Sequence, residues 1–248
     1  MKEEWDKLLA TYGPHLEELR SIFLGAFFIF GIAFAAGFFG SGTIARELVI
    51  ALTTEDVVIA SSSPFQFLNL AINIGLAMGI VCAFGFLAIA SYRFLSGGLN
   101  RRERRIAKTY IASCITLFVA GSTLAAGVLW YAMRALAAWN ESIAIANIWD
   151  ISTVLSQIII TSLLVGLIFQ FPAVMVGLVH AGAMRPEHLT RGRRVIIFSA
   201  FVLVALLPPT DGLSLVLMTT PVVLLFEGAV LASRAIARGL EAPLPAHQ

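Results

Sequence analysis

Charge is scarce in this chain of 248 residues: only 13% of them are Asp, Glu, Lys or Arg, against 58% hydrophobic. With a mean hydropathy of +0.88, that balance excludes a soluble domain, which has to clothe its surface in polar side chains. The solvent for most of the chain is lipid. Cysteine is nearly absent as well. Cys82 and Cys114 are the only two; each sits inside an apolar run, where a small polarizable side chain packs as a hydrophobe. Neither a disulfide nor a metal site is expected. The four histidines, His15, His180, His188 and His247, are scattered. No H-E-x-x-H, paired intramembrane aspartates or Ser/His arrangement can be assembled from the apolar runs. No phosphate-cradling glycine loop is found either. The chain is therefore expected to be no enzyme, with no catalytic residues and no cofactor, so that any energy comes from a partner or from the transmembrane proton gradient. No internal repeat is found, which withdraws support from the inverted-repeat architecture of many secondary transporters. The formal charge of +2 is small and the basic residues form short clusters between apolar runs, so nucleic acid is not an expected partner. The first twenty residues are polar and amphipathic and the first apolar run is long; no cleavable signal peptide is expected.

What the sequence does have is long apolar runs. A hydrocarbon core of about 30 Å needs roughly 20 residues of apolar helix. Such runs stand at about 22–39, 67–90, 110–133 and 154–180. The stretch from Val195 to Leu240 is interrupted by Pro208-Pro209-Thr210-Asp211-Gly212, a turn signal that no continuous helix accommodates. It reads as a hairpin of two helices, about 195–207 and 213–233. The fifth helix is then too short for a full bilayer, so it thins the membrane locally or stops partway. The expected fold is all-α: one polytopic membrane domain over 1–248, with a cytoplasmic tail over 234–248. Arg46 and Arg134 fall on one side of these spans and the rest of the 17 Lys and Arg on the other. Both termini are therefore expected in the cytoplasm. Trp130, Trp139 and Trp149 cluster toward the outer side, where amphipathic rings favour the headgroup level.

The outer loops, about 40–63 and 134–153, are long enough to cap that face, and the first predicts an interfacial helix over Ile44 to Leu52. In the N-terminal segment (1–20), Trp5, Leu8, Leu9 and Tyr12 fall at i, i+3, i+4 and i+7 and form one apolar stripe. Pro14 is expected to break or restart that helix, leaving the segment along the cytoplasmic surface. Gly75-x-x-x-Gly79 fits a close helix contact.

Immediately before the first apolar run stands His15-Leu16-Glu17-Glu18-Leu19-Arg20. This H-L-x-E-L-R string resembles the N-terminal signature of the TatC family, the receptor subunit of the twin-arginine protein translocase. Further elements follow in that family's order. They are Ser63-Pro64-Phe65, Gly98-Leu99 leading to Glu103-Arg104-Arg105, Phe169-Gln170-Phe171-Pro172, the hairpin from Leu207 to Asp211, and Leu225-Phe226-Glu227. The resemblance spans about 14–234 and implies six helices in a concave bundle, helices five and six short, with both ends inside. Departures are Gly97 where a proline is usual, Gln170 where the family carries glutamate, and P-P-T-D in place of T-P-P-D.

The resemblance implies a protein that binds twin-arginine signal peptides at its cytoplasmic face. It further implies assembly with TatA/TatB-type single-span partners and export of folded proteins with the proton-motive force, self-association into a homo-oligomer being left open. Two adjacent guanidinium groups call for carboxylates, which accept bidentate, charge-assisted hydrogen bonds. By motif match, Glu18 and Glu103 correspond to the signal-peptide-binding acids, and Arg20, Arg104 and Arg105 are expected in the same signal-peptide-binding site. The plainer alternative for Glu103 is neutralisation of Arg101, Arg102, Arg104 and Arg105 in a solvated cluster. For Glu17 it is pairing with Arg20 along the helix. Gln170, beside the kink expected at Pro172, needs a partner at its depth in the bilayer. It serves either a polar groove for a partner helix or an interhelical bond that glues the bundle; Gln157, Ser156 and Thr161 extend its polar stripe. Glu227 is costly in lipid unless protonated, paired or hydrated, and reads as a partner contact or as the mate of Arg234. Pro208, Pro209 and Asp211 read as structural turn residues, Asp211 capping the sixth helix, and Pro221 as a second kink. A proton- or ion-coupled transporter of small solutes, using Gln170 and Glu227, is the competing function.

Overall fold

The computed structural model describes residues 2–52, 58–60, 63–96, 100–143, 148–180, 184, 187, 191–207 and 212–241, with side chains except at 2–16, 51, 52, 58–60, 64, 95, 102, 180, 213 and 235–241. In chain order the elements are α1 (Lys2–Phe39), α2 (Ser41–Leu52), β1 (Val58–Ala60), α3 (Pro64–Ser96), α4 (Arg101–Ser142), β2 (Ile148–Asp150), α5 (Ile151–Ile168), α6 (Gln170–His180), α7 (Arg193–Ala205) and α8 (Gly212–Glu241). They fall into two compact units. One takes residues 1–51 and 61–115, the other 52–60 and 116–248.

The first unit is built on α1 packed against α3. Lipid supplies no hydrophobic drive between helices, so they must gain by close van der Waals approach, and glycine permits it. A Cβ on Gly75 would meet the Phe34 carbonyl oxygen at 2.9 Å, and one on Gly37 would meet the Gly75 Cα at 3.0 Å. Gly79 takes the Phe30 ring in the same manner and Gly25 takes Phe86. The spacing of Gly75 and Gly79 does mark a close contact, and its register makes the two helices antiparallel. The opposite face of α1 is apolar and uncovered: Phe27 is 75% exposed and Phe28 69%. A soluble protein could not tolerate that face. α3 starts with a capping box: Pro64 occupies the first helical position, the Ser63 N–H donates to Gln66 Oε1 (3.2 Å), and the Phe65 N–H reaches Ser63 Oγ (3.4 Å).

In the second unit, the part of α4 from residue 116 onward shares a core with α5, α7 and α8, built from Leu129, Val165, Phe169, Val204, Met218 and Val222. A smaller cluster joins Met175 and Val179 of α6 to Phe226 and Val230 of α8. The segments after α2 and α4 each contribute a three-residue strand, and β1 pairs with β2 in parallel, Val58 opposite Ile148 and Ala60 opposite Asp150. Asp150 then caps α5, its carboxylate accepting from the Thr153 N–H at 3.1 Å.

Several expectations need correction. α1 runs without an end through Pro14 into the apolar span, so the N-terminal segment is a continuation of the first helix and no separate surface helix. The proline costs only the donor to the carbonyl of residue 10, one bond in a helix of 38 residues. The expected helix at Ile44 to Leu52 is present as α2. α4 extends past the apolar stretch at both ends, so that much of the stretch expected as a loop over 134–153 is helical. The fourth apolar run is two helices, broken at Phe169. Pro172 removes the donor to the Ile168 carbonyl and its ring crowds that same carbonyl; the break therefore falls three residues ahead of the proline. The buried Phe169 ring fills the bend against Gly121, where a Cβ would lie 2.6 Å away. The last helix is not short: α8 has 30 residues, Ser214–Arg234 being its apolar part, and Pro221 sits inside it without ending it. Pro208, Pro209 and Asp211 lie outside the described residues.

Candidate signal-peptide and partner site

In the first unit, Glu18 and Arg20 stand on α1 about two turns before Gly25, and all three of Glu17, Glu18 and Arg20 are exposed. Phe86 lies against Gly25, and α3 continues from there to Ser96. The antiparallel register thus brings Glu18, Arg20, the end of α3 and the start of α4 to one end of this unit. At that start, the Asn100 N–H donates to Glu103 Oε2 at 2.9 Å, while the Arg104 N–H reaches the Asn100 carbonyl at 2.8 Å. Glu103 is the third helical residue, and its carboxylate satisfies a donor that the first turn leaves without a partner. It also sits where the helix dipole favours negative charge. The Arg104 guanidinium turns back and donates through Nη2 to the Ser96 carbonyl at 2.9 Å; the Ser96 hydroxyl covers the Arg93 carbonyl at 2.9 Å. Both bonds satisfy carbonyls in the last turn of α3. Glu103, Arg104 and Arg105 are all exposed. Among the described residues, no salt bridge joins Glu103 to its basic neighbours. Asn100 and Ser96 went unremarked in the sequence, although N-x-x-E before a helix is a capping pattern that could have found the first.

In the second unit, Gln170 opens α6 directly after the bend, and its amide donates to the Gly166 carbonyl at 3.3 Å. The amide is thus used on the helix's own backbone at the bend, and among the described residues no bond from it to a neighbouring helix is found. Pro172 is buried and Gln170 half-buried. Gly166 lies so close to α4 that a Cβ would collide with the Ser122 hydroxyl. Gln157, on the same stripe, lines a cavity of about 160 Å³ with Leu129, Ala132, Met133 and Leu136 of α4. Ser156 and Thr161 are buried. Glu227 is paired, with a mate the sequence did not suggest. Arg193, at the start of α7, donates from Nε to Glu227 Oε1 at 2.6 Å and from Nη2 to Oε2. This fork-on-carboxylate pair joins residues 34 apart in sequence, a separation at which no local signal operates.

Among the described residues, five helices are long and apolar enough to cross a membrane: Glu17–Phe39, Phe65–Phe94, Glu103–Ser142, Ile151–Val179 and Ser214–Arg234. The fifth sequence-predicted span, now α7, has 13 residues and is not among them. An all-α chain of this kind is a polytopic membrane protein. The profile of the family described as Sec-independent protein translocase protein (TatC) matches residues 14–221. The Sec-independent protein translocase protein TatCy of Bacillus subtilis (strain 168) is 26% identical over 229 residues, covering 90% of this chain and 89% of its own. The Aquifex aeolicus (strain VF5) protein TatC is 28% identical over 217 residues, 86% of this chain and 90% of its own. A crystal structure of the twin-arginine translocase receptor TatC superimposes with a TM-score of 0.74 at 26% identity, covering 90% of this chain and all of that one. This chain belongs to the TatC family, and its work is protein transport as a subunit of the twin-arginine translocase.

Proposed function

We propose that this chain is the receptor core of its translocase. It binds twin-arginine signal peptides through Glu18 and Glu103 at a cytoplasmic face flanked by Arg20, Arg104 and Arg105. TatA/TatB-type single-span proteins assemble on the flank that carries Gln170, Pro172 and Glu227, and folded cargo is exported with the proton-motive force. The family supports the receptor role. The observation that carries the site is Glu103: an exposed carboxylate in a basic loop, without an ion pair among the described residues, at the same end of its unit as Glu18. A guanidinium arriving there gains a charge-assisted bond worth about 1.5–3 kcal/mol, or roughly 10- to 100-fold in affinity.

The test is binding of a fluorescent signal peptide bearing Arg-Arg, and of its Lys-Lys twin, to the purified protein and to Glu103→Gln. The fork geometry of Arg against the point charge of Lys predicts a clear preference for Arg-Arg in the wild type, reduced at least tenfold in the variant. Equal binding of both peptides to the wild type would remove the proposed site.

A further inference from the structure

A lone acid among Arg101, Arg102, Arg104, Arg105 and Lys108 should be quenched by the nearest cation, and a quenched carboxylate is no receptor for another guanidinium. For Arg104 the structure has a device that prevents this. Arg104, one of the two cations adjacent to Glu103 in sequence, turns away from it: its Nη2 donates to the Ser96 carbonyl at 2.9 Å. Glu103 in turn is drawn the other way, its Oε2 accepting the Asn100 N–H at 2.9 Å. We infer that Arg104 is a positioning residue, a clasp between the end of α3 and the start of α4 that holds Glu103 unquenched for an arginine of the signal peptide. The inference rests on the reading of Glu103 given above and adds the role of Arg104, which touches no peptide.

The geometry gives the clasp three parts. The Arg104 cation lies at the C-terminal end of α3, where the last carbonyls and the helix dipole hold it. The Glu103 anion lies at the N-terminal end of α4, where the dipole holds it as well. Asn100 occupies one carboxylate oxygen through its main-chain N–H, whatever its own side chain, so Oε1 is the oxygen presented to a ligand. Two opposite charges adjacent in sequence are thereby kept on different carbonyl and amide partners, where in open solvent they would meet.

Coulomb's law and the clasp make opposite predictions for Arg104→Ala. Removing a cation beside the acid should tighten binding of a doubly cationic peptide if charge alone matters. If the clasp matters, binding should weaken, by about fivefold or more, because Glu103 loses its fixed setting and meets its remaining basic neighbours. The full-length protein is used in detergent, with the Arg-Arg peptide and its Lys-Lys twin as probes. Amide hydrogen exchange across 96–104 is read alongside, and the clasp predicts faster exchange in the variant. Arg104→Lys keeps a cationic donor for the Ser96 carbonyl and should restore most of the affinity. Should the alanine variant not fold, Arg104→Gln, too short and uncharged to hold that carbonyl, takes its place in both readings. Arg-Arg preference in the wild type with unchanged or tighter binding in the variant overturns the clasp alone; unchanged exchange overturns it too. Loss of preference already in the wild type removes the Glu103 reading and the clasp with it.

Discussion

Glu227 shows how a carboxylate tolerates an apolar helix. Arg193 meets both of its oxygens, so the pair enters the membrane region with its charge compensated and its hydrogen bonds made. The side chains are 49% and 27% exposed, and solvent screening keeps the energy modest. A double-mutant cycle of Arg193→Gln and Glu227→Gln, read by thermal unfolding in detergent, should give a coupling of about 1 kcal/mol. The same four proteins separate two roles for Glu227. If it only fastens α7 to α8, either single change should impair partner co-purification equally; if it also touches a partner, Glu227→Gln should do more damage than Arg193→Gln. Parity would withdraw Glu227 from the proposed partner flank.

At the scale of elements, the sequence exposes helix cores better than helix ends. Apolar runs dictate where lipid-facing helix must lie, and α1, α3, α4, α5 with α6, and α8 all stand on them. Their ends depend on caps and contacts that periodicity does not see. α4 continues to Ser142 through Arg134 and Trp139, polar and interfacial residues that helix accepts as readily as lipid-facing ones. The break at Phe169 needs both Pro172 in sequence and Gly121 in space, and only the first is legible. The strands β1 and β2 exist because two distant loops meet. The proposed site divides the same way: Glu18 and Glu103 are proposed from motif, whereas the Asn100 and Ser96 partners of the second motif are set by how α3 and α4 join. The α1–α3 contact allows a paired test of the packing argument. Gly75→Ala drives a methyl to 2.9 Å from the Phe34 carbonyl, whereas a methyl at Gly31, on the same pair of helices, meets nothing within 4 Å. The first should cost about 1–3 kcal/mol, and the second should be neutral or gain up to about 1 kcal/mol from helix propensity. Melting temperatures of both variants decide it, and equal effects would mean that the close approach is not what holds α1 to α3.

For the whole molecule, the proposed role of Glu18 and Glu103 depends on which way the chain faces, because a signal peptide arrives from the cytoplasm. Each unit carries its own charge asymmetry. In the first, Arg93, Arg101, Arg104, Arg105 and Lys108 gather at the end where α3 meets α4, and Arg46 lies beyond the other end of α1. In the second, Arg191, Arg193, Arg194 and Arg234 gather at the start of α7 and the late part of α8, with Arg134 toward the far end of α4. The positive-inside rule applies to each unit taken by itself. With 42 residues, α4 is about 63 Å long at 1.5 Å per residue, twice a hydrocarbon core of about 30 Å. A helix of that length that crosses the bilayer projects beyond it, and its two ends can be interrogated by labelling. In a background without Cys82 and Cys114, Ser142→Cys should react with a membrane-impermeant maleimide in intact cells. Asn100→Cys, which keeps the main-chain N–H that holds Glu103, should react only after the membrane is opened. The reverse pattern would put the carboxylates on the outer face, where no precursor waits, and the receptor reading would have to be abandoned whatever the affinity of the purified protein for arginine.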